Sequence, residues 1–154
     1  MDELDSNTHV ISIAVSDTTD NITGAFDQLM AMGPKISGIA VTTHTNEIEL
    51  TQDQLFAGAD TVAKLTGTFS LGIADVSAEN ATVVAGKTNV IGVSVLDTAS
   101  NVAQHIDALL ALGDELELIT INDEDPIQIT QAQADAASTV LAKIYGGHTV
   151  EIIA

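Results

Sequence analysis

The chain has 154 residues, 45% of them hydrophobic but only 3% aromatic, with no Cys and no Trp. Its basic side chains are four Lys, set against 22 Asp and Glu, for a formal charge of −18. Such a chain can bury a core of Ala, Val, Ile and Leu in one ordinary domain or two very small ones, but disulfides, thiolate metal sites and arginine clamps are excluded, and the charge disfavours nucleic acid and anionic membranes as partners.

The opening residues Met1, Asp2, Glu3, Leu4 and Asp5 are acidic and do not read as a secretory leader. Residues 10–15 are β-rich and predict a strand. Asp17 follows as the expected N-cap of a helix. Ile22, Phe26, Leu29 and Met30 then recur at helical spacing, and Gly33 marks the stop. Strands are expected at 36–41 and 47–50, joined by a short polar turn and read as a hairpin. Thr51 and Gln54 make a capping box that opens a second helix ending near Gly67. A fourth strand is expected at 69–73. Residues 77–87, rich in Ala and Val behind Ser77, predict a short connecting helix and not a flexible tether.

The same order then recurs. Thr8, Val10 and Ile11 align with Thr88, Val90 and Ile91, and Asp17-Thr18 and Asn21 align with Asp97-Thr98 and Asn101. Asp27, Leu29, Ala31 and Gly33 match Asp107, Leu109, Ala111 and Gly113. After a one-residue slip, Thr51-Gln52 and Gln54 match Thr130-Gln131 and Gln133, and Ala63-Lys64 matches Ala142-Lys143. An ordered set of matches at a period of about 80 residues marks an internal duplication. The expected fold is α+β: two tandem βαββαβ repeats, helices on one face of small mixed or antiparallel sheets, with a short connecting helix. The expected boundaries are 1–8 for the end of a preceding repeat unit, 9–75 for repeat 1, 76–88 for the connecting helix and 89–154 for repeat 2.

Motifs that carry chemistry are sparse. Gly86-Lys87-Thr88 ends like a phosphate-binding loop, but Ala81 stands where that loop needs Gly, and a strand follows where a helix is needed. His9, His44, His105 and His148 lack metal-ligand spacing and have no His counterparts in the other copy. Asp17/Asp20 and Asp27/Asp107 read as helix-start and solvated carboxylates. The acidic turn Asn122-Asp123-Glu124-Asp125 is the best local calcium candidate, with Asp123, Glu124 and Asp125 as ligands of a weak site. Its counterpart in copy one, Thr43-His44-Thr45-Asn46, has no carboxylate, so such a site is not a property of the repeat. No other cofactor is expected.

Val93-Ser94-Val95-Leu96-Asp97-Thr98, Asp107-Ala108-Leu109-Leu110, Thr130-Gln131-Ala132-Gln133 and Leu141-Ala142-Lys143-Ile144 carry a family resemblance. The chain resembles the repeat of very large, acidic, Arg-poor bacterial proteins of adhesin-like type, secreted or displayed on the cell surface. The α-β-β-α-β portion also resembles, through element order, the BON domain, a periplasmic module linked to phospholipid binding. The resemblance implies a non-enzymatic structural or spacer module at an extracellular or cell-surface location, partnered by neighbouring repeats. A ligand-binding module for calcium, glycan or lipid headgroup is the alternative. No nucleic-acid partner and no membrane insertion are expected.

Overall fold

A computed structural model describes residues 9–153. The expectation for residues 1–8 lies outside the described residues. The chain divides into two compact units, with the boundary between Leu71 and Gly72.

In the first unit, β1 (Ile13–Asp17) leads into α1 (Thr19–Met32), which buries Ile22, Phe26, Leu29 and Met32. Met30, expected on the same stripe, is half-buried. Gly33 ends α1 at φ 41°, its N–H directed to the carbonyls of Leu29 and Met30. Only glycine takes that conformation without strain, and Pro34 then prevents continuation. β2 (Ile36–Val41) and β3 (Ile48–Thr51) follow, then the short helices α2 (Gln52–Ala57) and α3 (Ala59–Val62) and the two-residue β4 (Leu65–Thr66). β2 lies between β1 and β4 and is parallel to both, with Val15 opposite Ile39 and Ile39 opposite Leu65. Ile36, Ile39, Ile48, Leu50, Leu55 and Leu65 are also buried. Each such side chain contributes roughly 1.5–3 kcal/mol on burial, so the core drives folding and the caps adjust its ends.

In the second unit, the elements are β5 (Leu71–Val76, its first residue across the boundary), α4 (Ala81–Ala85), β6 (Val90–Asp97), α5 (Ala99–Gln104), α6 (Ile106–Ala111), β7 (Leu116–Ile121), β8 (Ile127–Thr130), α7 (Gln131–Ala136), α8 (Ser138–Leu141) and β9 (Val150–Ile153). β6 lies between β5 and β7, with Val95 opposite Ile119 in a parallel pair. β8 and β9 form a parallel pair, with Ile129 opposite Ile152. Val102, Ile106, Leu109, Leu116, Ile119, Ile127 and Ile129 are buried.

The fold is therefore mixed α/β with parallel strand pairs, and the antiparallel expectation is corrected. The supposed hairpin of 36–41 with 47–50 does not form, because both edges of β2 are already taken by β1 and β4. β7 is in the same position: β6 holds one edge, and Ile119 bridges in parallel to Ile144. A helix between two strands returns the chain to its starting end, which favours parallel pairing. The second helix of each half is also broken, at Gly58 and at Ala137, and the segment matching α1 is broken at His105.

Candidate functional site

Several polar residues shared by the two halves are placed by hydrogen bonds within one turn of the chain. Asp17 and Asp97 were expected as N-caps, but the caps are their neighbours. Thr18 accepts the N–H of Asn21, and Thr98 accepts that of Asn101. Each aspartate instead closes the turn before the helix. Asp17 Oδ1 accepts the Thr18 N–H at 2.9 Å and the Asn21 amide at 2.7 Å. Asp97 Oδ1 accepts the Thr98 N–H and the Asn101 amide, each at 2.8 Å. The Asn21 amide, then the Thr18 N–H, hold the Asp17 carboxyl below its ordinary range, against a weaker opposing effect of burial. Asp97 has an additional partner, the buried N–H of Ala78 at 2.9 Å from Oδ2.

The capping boxes form as expected. Thr51 and Thr130 accept the N–H of Gln54 and Gln133, whose side chains reach back to the Thr N–H at 3.0 Å in both halves. Gln54 also donates to Asp27 at 2.7 Å. Lys64 and Lys143 have a role that sequence reasoning missed. Lys64 donates to the carbonyl of Gly33, and Lys143 to that of Gly113, both at 2.8 Å, while Lys143 also reaches the Leu116 carbonyl. A cation there adds a charged donor to a carbonyl just past the end of a helix, and the Gly33 carbonyl accepts the Ile36 N–H as well. The available signal was two matched lysines in a chain with only four.

The acidic turn is held by two contacts. Both oxygens of Asp123 face the Ala99 N–H, at 3.1 and 3.3 Å, so this carboxylate caps the start of α5. Glu124 and Asp125 are exposed, and the carbonyl of Asp125 meets His148 Nε2. No group of three or more His, Asp or Glu suited to a metal ion exists among the described residues. Nor is any helix among them long and apolar enough to cross a membrane.

One open cavity of about 450 Å³ in the second unit is lined by Ser100, Ala103, Gln104, Asp125, Pro126, Gln128 and Ile153. Its counterpart region in the first unit is bridged. Asn46 donates to Asp20 at 3.0 Å, and the Glu49 N–H donates to Thr23 at 3.1 Å. Residues that match the cavity lining are thus tied to one another in the first unit.

With this geometry in hand, comparison with protein families, curated proteins and solved structures finds no match in any of the three.

Proposed function

We propose that the chain is two copies of one repeat and serves as a non-enzymatic structural spacer, one stretch of an acidic array secreted from or displayed on a bacterial cell, with neighbouring repeats as its partners. One observation carries the reading. Six shared polar pairs (Asp17/Asp97, Thr18/Thr98, Asn21/Asn101, Thr51/Thr130, Gln54/Gln133 and Lys64/Lys143) are engaged in turns, helix caps and main-chain carbonyls. A repeat that retains its scaffold polar groups and varies its cavity linings is selected for shape, not for a bound molecule. The recurring order of strand, helix, strand, strand, capped helix pair and strand supports the same reading.

A ligand-binding module would need a pocket present in both halves, whereas residues matching the lining of the described cavity are hydrogen-bonded to one another in the first unit. The test is thermal unfolding of the full chain with calcium, glycans or soluble lipid headgroups at constant ionic strength. The spacer reading expects the melting temperature to follow ionic strength alone. A saturable shift produced by one ligand would replace it with the binding-module reading.

A further inference from the structure

We propose that the outer edge of β9 is a docking surface for a second copy of this chain, whose first strand, β1, adds to it. The inference rests on the array reading and names the surface that such an array would use. β9 is hydrogen-bonded to β8 and to no other strand among the described residues. It carries apolar side chains that remain open: Val150 is 36% exposed, Ile152 46% and Ile153 42%.

The strand that matches β9 in sequence is β5. Leu71 and Ile73 align with Val150 and Ile152, yet they are 0% and 2% exposed. β5 has β6 beside it, and β6 is the strand whose sequence matches β1. The chain therefore contains one filled example of the contact, β5 with β6, and one unfilled counterpart in β9. β1 supplies the complementary half. It stands at the edge of its sheet, paired with β2 on one side and with no strand on the other among the described residues. An open edge offers a row of unpaired N–H and C=O groups, and flanking apolar side chains add burial to the pairing. Because the two surfaces differ, the association is head-to-tail and extends beyond a dimer.

Sedimentation velocity of the full chain, up to millimolar concentration and at high salt to screen the charge of −18, tests this. The expected result is concentration-dependent growth past the dimer. Ile152→Lys on β9 and Ala14→Lys on β1, both at exposed positions, should each lower the association constant by about tenfold or more. An equimolar mixture of the two variants should regain a one-to-one heterodimer, since one retains β1 and the other retains β9. Circular dichroism checks that both fold, and Ile153→Lys and Ser16→Lys replace them if either does not. A chain that stays monomeric, a β9 variant that associates like the parent, an Ala14→Lys chain that still dimerises fully, or a mixture without complementation would each overturn the inference. None of these outcomes touches the spacer reading, which the ligand series tests separately.

Discussion

Gly58 and Ala137 occupy matched places where the second helix of each half breaks, with nearly the same backbone, φ −94° and φ −93°. Their surroundings differ. A Cβ at Gly58 would lie 2.5 Å from the Gln54 carbonyl, 2.6 Å from Met30 Sδ and 2.8 Å from Phe26 Cε1. Ala137 carries that Cβ fully buried, and the residue matching Phe26 is the smaller Ile106. The two halves keep one set of main-chain hydrogen bonds and exchange volume within it: a large ring with a glycine, or a smaller side chain with an alanine. Core packing of this kind tolerates substitution when total volume is kept.

The largest expected effect separates the two aspartates. Asp97→Ala removes the acceptor of the buried Ala78 N–H as well as two partners at the turn, and should cost about 3 kcal/mol in chemical denaturation. Asp17→Ala should cost clearly less, because its partners are more exposed. Equal losses would mean that the Ala78 contact contributes nothing.

Next, Gly58→Ala should cost about 2 kcal/mol through overpacking. Combined with Phe26→Ile, which copies the arrangement of the second half, the loss should fall short of the sum of the single changes by about 1 kcal/mol. Strict additivity in a double-mutant cycle would break the volume-exchange argument.

A smaller effect concerns Thr19, whose hydroxyl is buried without a hydrogen-bond partner, while Ala99 holds the matched place. Thr19→Val retains the volume and removes the unpaired group, so stability should rise by about 1 kcal/mol. A loss would show that the hydroxyl has a partner in solution, such as an ordered water.

The smallest effect is in acid. The folded-state pKa of Asp17 is depressed, so its contribution is fully present above the unfolded value, near 3.9 for a free Asp, and is lost as pH falls through the lower folded value. Asp17→Asn should therefore reduce the difference in stability between neutral and acidic solution. Urea midpoints measured across that range give the answer, and an unchanged difference would show that the Asn21 and Thr18 bonds do not favour the charged form.

Local chemistry accounts for what the sequence determined. A Thr followed three residues later by Gln closes a capping box using groups within one helical turn, so Thr51 and Thr130 were readable in advance. The glycine stop at 33 and the apolar spacing of Ile22, Phe26 and Leu29 were legible for the same reason. The N-cap was misplaced by one residue, because Asp17 and Thr18 both have short acceptor side chains and only the backbone path decides which one caps. Strand partnership was not readable, because it depends on which edges are already occupied. β2 could not join β3 once β1 and the two-residue β4 had taken both of its sides, and a strand as short as Leu65–Thr66 leaves no periodic signal. From the sequence Asp123 reads only as part of an acidic run, with no sign of its contact to a distant helix start. Tertiary structure placed it against the Ala99 N–H, 24 positions away in sequence, and made it a helix cap. The capping boxes and the Asp-Thr turns are set mainly by neighbours in the chain, whereas sheet order and the cap supplied by Asp123 are set by distant segments competing for the same hydrogen-bonding groups.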